Sequence, residues 1–186
     1  MRLFVAVAVP PAVVERAEQV KGRLMGCGAD VKWVWRENYH LTVKFLGEVE
    51  EARVAAVVQE LRAAAGESPP FVLRLLGAGA FPSLQRPRVL WLGVGGDVEK
   101  AEWLGERVDA RLAELGFEPE RQRSLHLTLG RMRTSAGVQG MLRLLREEGQ
   151  AGPEPEFEVR EVLLMESRLS REGPSYRVVA VLPLLG

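Results

Sequence analysis

Two histidines are the whole imidazole complement of this 186-residue chain, and they stand in matching contexts. The first opens His40-Leu41-Thr42-Val43-Lys44-Phe45 and the second opens His126-Leu127-Thr128-Leu129-Gly130-Arg131. In extended backbone, side chains alternate between faces. Each segment therefore sets an imidazole and a threonine hydroxyl on one face and two apolar residues on the other. Imidazole has an ordinary pKa of about 6.5, so of two rings one can be neutral while the other is protonated. The neutral ring can take a proton from water while the protonated ring gives one to a departing oxygen. The hydroxyls can donate to non-bridging phosphate oxygens, where charge gathers as the bond breaks. That set suits displacement at a phosphodiester, and no step of it demands a metal. A single His-x-Thr would read as a half-buried histidine satisfied by a neighbour. Two copies that use every histidine in the chain favour the catalytic reading.

The neighbours of these motifs leave two readings each. Lys44 shares the parity of Thr42 and can face the same cleft, or it is a solvated strand charge. Arg131 follows the second motif and can clamp phosphate, or it is a charge at a strand end. Trp33, Trp35, Phe45 and Trp91 can stack on a base, or they belong to the core.

The elements that carry the motifs follow from periodicity. Leu3 to Val9 is a β-branched run stopped by Pro10-Pro11 and reads as a buried strand. Val13, Ala17, Val20 and Leu24 recur at helical spacing, and Gly26-Cys27-Gly28 closes that helix. Trp33 to Trp35 and His40 to Phe45 read as strands, and Val54, Val57, Leu61 and Ala65 mark a second helix. Phe71 to Leu76 is strand-like again. The order then starts over. A strand at Val89 to Val94 precedes a helix through Ala101, Leu104, Val108, Leu112 and Leu115. The strand at Leu125 to Leu129 follows, with a helix at Val138 to Leu145. Phe157 to Met165 and Tyr176 to Leu182 are the last strands. His40 and His126, Phe71 and Phe157, and Leu3 and Val89 are each 86 residues apart. A constant offset through strand, helix, strand and helix reads as an internal duplication, of residues 1–86 and 87–186. The expected body is one domain of two pseudosymmetric lobes sharing a cleft.

Composition narrows the function. The single cysteine, Cys27, excludes a disulfide framework and a Cys-rich zinc module. Basic and acidic residues balance at 25 each, which argues against a bulk polycation for nucleic acid, although 21 of the 25 basic residues are arginine. No apolar run approaches the roughly 20 residues of a membrane helix, and the first residues carry no signal-peptide pattern, so a cytoplasmic, membrane-free protein is expected. Gly93-Val94-Gly95-Gly96 lacks the last glycine of a dinucleotide fingerprint and reads as a turn with Asp97 as helix cap. There is no P-loop and no nucleophile elbow, and two histidines without a neighbouring Cys, Asp or Glu cluster make a poor zinc set. No metal and no cofactor is expected.

The paired His-x-Thr motifs resemble the 2H phosphoesterase superfamily. The fuller pattern is similar to its RNA 2′,3′-cyclic phosphodiesterase branch, also called 2′-5′ RNA ligase. The likeness runs from Arg2-Leu3-Phe4-Val5-Ala6 through His40 to Gly47, Phe81-Pro82, Arg86 to Trp91 and His126 to Arg131. It ends with Glu166-Ser167-Arg168-Leu169-Ser170 and Gly173-Pro174-Ser175-Tyr176. It departs at Leu125, where the family usually has proline. The resemblance implies an α+β, bilobal fold with two antiparallel sheets around a central cleft and helices outside. It also implies metal-independent opening of RNA 2′,3′-cyclic phosphate ends to 2′-phosphomonoesters. By position His40 is then the proton donor to the 3′ oxygen and His126 the proton acceptor from water. Thr42 and Thr128 hold the phosphate, and Arg131, Lys44 and Phe45 are candidate substrate contacts. The implied partners are RNA ends such as tRNA halves or short oligonucleotides, with reverse 2′-5′ joining that needs no ATP, by a monomer. The alternatives are a non-catalytic RNA-end or nucleotide binder, or a phosphodiesterase for a small cyclic nucleotide or ADP-ribose cyclic phosphate.

Overall fold

The computed structural model describes residues 1–149 and 154–186. Strand β1 (Arg2–Ala8) leads into helix α1 (Pro11–Met25), which starts with proline at its first position, where the missing N–H costs nothing. Val13, Ala17, Val20 and Leu24 form its buried face, as the spacing requires. The short strand β2 (Val31–Trp33) and a single 3₁₀ turn at Arg36–Asn38 precede β3 (His40–Glu48). Helix α2 (Glu51–Gly66), β4 (Phe71–Pro82) and β5 (Pro87–Gly96) follow, then α3 (Val98–Ala113), β6 (His126–Met132) and α4 (Val138–Gly149). The chain closes with β7 (Glu156–Val159), β8 (Glu161–Ser170) and β9 (Gly173–Pro183). No helix among the described residues is long and apolar enough to cross a membrane.

The strands run antiparallel in the order β7-β4-β5-β6-β3-β1-β8-β9, with β2 on β6. The two sheets expected from the resemblance are thus the two halves of one curled nine-stranded sheet. They join at a single residue pair, Leu41 opposite Leu127. Beyond that pair β3 and β6 diverge, and β2 takes the vacated edge of β6 from Gly130 to Met132. The divergence opens the cleft. Leu41, Val43, Leu127 and Leu129 point to the other face, into the helix-covered core with Val5, Val57, Leu104 and Val108.

The strand order has the twofold relation read from the sequence, with different partners in two places. Val7 lies opposite Leu41, whereas Leu92 lies opposite Leu127, so β1 matches β5 at an offset one shorter than that of the histidines. The stretch between strand and motif is one residue longer in the second half, which displaces the Leu3–Val89 match. The run from Phe157 to Met165, expected as one strand, breaks at Arg160. Its first part, β7, pairs with β4, with Phe71 opposite Val159 and Phe157 opposite Leu73, so Phe71 and Phe157 lie in the same half-sheet. Its second part, β8, pairs with β1 and is the counterpart of β4, which pairs with β5. Asp97 stands at the start of α3 as expected, but its carboxylate accepts the Val72 N–H of β4 rather than capping the helix.

Candidate active site

Continuing the Leu41–Leu127 register by one residue in each direction sets His40 across from Thr128 and His126 across from Thr42. All four lie on the face opposite the buried leucines. Each imidazole is oriented by the carbonyl two residues before it. Nδ1 of His40 donates to the Asn38 carbonyl at 2.8 Å, and Nδ1 of His126 donates to the Ser124 carbonyl at 2.9 Å. A ring that donates from Nδ1 to a fixed carbonyl presents Nε2 as its working nitrogen. At His40, Nε2 is 2.8 Å from the Thr42 hydroxyl, which donates to it while the ring is neutral.

Aromatic rings pack each imidazole. The centroids of Phe4 and Tyr176 lie 4.9 and 5.2 Å from that of His40, and Phe81 lies 5.0 Å from His126. Burial against these rings disfavours the charged form and is the largest reason that both imidazoles sit below their ordinary pKa. The carbonyl acceptors oppose that shift. The His126 charge lowers His40 further, and the Arg131 charge lowers His126 further. Both rings are therefore biased toward the neutral form.

Arg131 and Phe45 reach this face through matching irregularities. Ala6 pairs with Thr42 but Val5 pairs with Lys44, leaving Val43 as an extra residue. Trp91 pairs with Thr128 but Leu90 pairs with Gly130, leaving Leu129 as its counterpart. A bulge of one residue reverses the alternation after it. Phe45 is accordingly 66% exposed and 6.2 Å from Phe4 between ring centres. Arg131 is exposed, and its charge acts on both His126 and Tyr176.

Lys44 is the correction. The same bulge turns it away from the cleft, and it is 2% exposed. Its Nζ donates to Asp109 Oδ1 at 2.7 Å and to the Glu118 carbonyl. Asp109, on α3, accepts the Glu120 N–H at 3.2 Å and pairs with Arg123. Lys44 thus braces the loop that ends in Ser124, and it has no face toward substrate. Its counterpart in the other half is Gly130, where a Cβ would collide with Val31 and Trp33.

Phe4, Phe81 and Tyr176 lie in segments that carry the likeness but were not assigned to the site, and motif reasoning missed Asn38 and Ser124. The last two carried a signal: Asn38 and Ser124 share the 86-residue offset of the histidines, each two residues ahead of one. Among the described residues no group of three or more His, Cys, Asp or Glu side chains comes together as a metal set.

A family model described as LigT like Phosphoesterase matches residues 7–91 and 97–176. A relative from Archaeoglobus fulgidus, an RNA 2′,3′-cyclic phosphodiesterase, is 36% identical over 182 residues, covering 97% of this chain and 99% of its own. A protein of the same name from Aeropyrum pernix is 34% identical over 168 residues, covering 90% of this chain and 94% of its own. The crystal structure of TT0787 from Thermus thermophilus superposes with a TM-score of 0.80 at 26% identity, covering 100% of this chain and 99% of that one. E. coli LigT complexed with 3′-AMP superposes with a TM-score of 0.72 at 26% identity, over 100% and 98% of the two chains. The chain belongs to the LigT-like phosphoesterase family.

Proposed function

We propose that this LigT-like phosphoesterase is an enzyme that hydrolyses RNA 2′,3′-cyclic phosphate ends to 2′-phosphomonoesters. The observation that carries the reading is the pair of imidazoles, each fixed at Nδ1 by a carbonyl and each presenting Nε2 to one cleft. Water attacks phosphorus as its proton passes to Nε2 of His126. The bond from phosphorus to O3′ breaks as Nε2–H of protonated His40 gives its proton to that oxygen. His126 ends protonated and His40 neutral, and exchange with solvent resets both. The substrate's own anion favours the imidazolium that burial disfavours, so binding charges the acid. Thr42, once its hydroxyl is released from His40, and Thr128 donate to the non-bridging oxygens, with Arg131 as the cation beside them. Both protons have a carrier, so the scheme requires no metal.

The names of the Archaeoglobus and Aeropyrum relatives support RNA as the substrate class. The 3′-AMP complex of E. coli LigT supports a nucleotide-sized site. We read tRNA halves or short oligonucleotides as the ends taken, by a single-domain monomer in the cytoplasm. Attack by a 5′-hydroxyl in place of water would form a 2′-5′ bond through the same two proton transfers. The test is incubation with 2′,3′-cyclic AMP in EDTA, followed by locating the phosphate on the product. Adenosine 2′-phosphate at an undiminished rate supports the reading. A 3′-phosphate, no turnover, or activity that EDTA removes and zinc restores would sink it.

A further inference from the structure

The two imidazoles are held by equivalent carbonyls, but those carbonyls are anchored in different ways. The Ser124 carbonyl belongs to a loop braced from outside by Lys44 and by Arg123, and Ser124 itself is exposed. The Asn38 carbonyl ends the 3₁₀ turn Arg36–Asn38, and Asn38 is 8% exposed. Its side-chain Nδ2 donates to the Pro174 carbonyl at 2.9 Å, across 136 residues of chain. We infer that the Asn38 amide is a positioning group for the acid: it ties the 3₁₀ turn to the β8–β9 hairpin and so keeps Nε2 of His40 aimed at O3′. The inference rests on the proposed reaction and assigns to it a side chain that lies outside both His-x-Thr motifs.

A single 3₁₀ turn holds little by itself. Inside it the Asn38 N–H reaches the Trp35 carbonyl at 2.9 Å, and the Tyr39 N–H reaches the Arg36 carbonyl only at 3.5 Å. The tie to Pro174 adds a restraint from the strand that carries Tyr176. Pro174 stands two residues before Tyr176 on β9, and Tyr176 is edge-on to the imidazole at 5.2 Å. One amide therefore sets both the carbonyl that receives Nδ1–H at 2.8 Å and the ring that walls the imidazole. The contact calls for an amide. The Pro174 carbonyl needs a donor, so a carboxylate of the same shape would oppose it and an alkyl group would leave it without this bond.

Asn38 acts through His40 and not on substrate, so its loss should change how the ring is held more than what binds. A neutral imidazole without a fixed acceptor at Nδ1 can carry its proton on Nε2 instead. The ring is then free to turn, and Nε2 loses its line to O3′.

The test reads His40 directly, by ¹⁵N NMR of the imidazole nitrogens at pH about 8.5, well above their ordinary pKa, where both rings are neutral. The wild-type chain should show Nδ1–H at both histidines. Asn38→Asp keeps the shape and removes the donor, and Asn38→Ala removes the amide altogether. In either variant His40 should populate the Nε2–H form while His126 stays Nδ1–H. With 2′,3′-cyclic AMP, kcat should fall by about 10- to 100-fold with KM little changed. In a His40→Ala chain, adding Asn38→Asp should cost nothing further. A folded variant that keeps the Nδ1–H form or the wild-type kcat overturns the inference and leaves the reaction standing. So does a loss that persists in full in the His40→Ala background, which would mark Asn38 as structural alone. A wild-type chain that does not turn over 2′,3′-cyclic AMP removes the reaction, and the acid that Asn38 positions goes with it.

Discussion

At the scale of single residues, the proposed chemistry rests on two rings whose neighbours make different demands on them. Burial beside Phe4, Tyr176 and Phe81 depresses both imidazoles, while each needs its own carbonyl to keep Nε2 aimed. Replacing either His40 or His126 by alanine should leave a folded chain and lower kcat by about 10²- to 10⁴-fold, the usual worth of a general acid or base. Circular dichroism and single-turnover rates check this together. A folded variant with near-parental turnover would remove that ring from the mechanism. The depressed pKa values also place the kcat/KM profile. It should be bell-shaped and centred on the acid side of the ordinary imidazole value, about 6.5. Arg131 lowers the pKa of His126, so Arg131→Gln should raise it and carry one limb of the bell to higher pH. The rings titrate as a pair, so the moving limb is a property of both. A profile of unchanged shape would show that the Arg131 charge does not reach the site. The histidines and threonines were legible because spacing alone sets their common face. Tyr176 and Phe81 stood only within the segments that carry the likeness, because they arrive from strands remote in the chain and no spacing ties them to the imidazoles.

At the scale of elements, alternation was a sound guide to β3 and β6 only as far as the bulges at Val43 and Leu129. A bulge is set by how a strand fits its neighbour, here β1 and β5, and single-residue patterns do not encode it. Parity therefore left Lys44 to the cleft or to solvent, and the structure gives it to Asp109 instead. Helices were easier to read, since α1, α3 and α4 each bury the apolar stripe that their spacing announces. The break at Arg160 went unread because its one mark in the sequence is a one-residue slip in the alternation, from Phe157 and Val159 to Val162 and Leu164. The buried Lys44–Asp109 pair makes its own prediction. Removing one partner of such a pair leaves an uncompensated charge and costs about 3–5 kcal/mol. Lys44→Met should lose about 1–3 kcal/mol in urea denaturation, less than that full cost because Asp109 keeps Arg123 and the Glu120 N–H. It should also reduce turnover in the folded protein, because the loop it braces supplies the Ser124 carbonyl to His126. A loss below about 1 kcal/mol would mark the pair as no stronger than a surface contact.

At the scale of the whole molecule, the two sequence halves do not correspond to the two spatial halves. β4 comes from the first stretch but pairs with β5, and β8 comes from the second but pairs with β1. Each half-sheet is thus completed by strands from the other stretch of chain, and the helices follow the same exchange, with α2 against α3 and α1 against α4. The repeated motif itself is plain in the sequence. The exchange is not, because a repeat specifies what recurs and is silent about which copy a strand joins. Its consequence is mutual dependence. Residues 1–86 alone would expose both flanks of β4 and the β8 edge of β1, a length of unpaired backbone that small domains do not sustain. The full chain should therefore unfold in one cooperative transition, with calorimetric and van't Hoff enthalpies in agreement. The separate stretches 1–86 and 87–186 should show no sharp melt when expressed alone, and mixing them should restore one, along with hydrolysis of the cyclic phosphate. Two resolved transitions in the intact protein, or a cooperative melt of residues 1–86 alone, would mean that the halves are independent domains whose cleft is assembled only by docking.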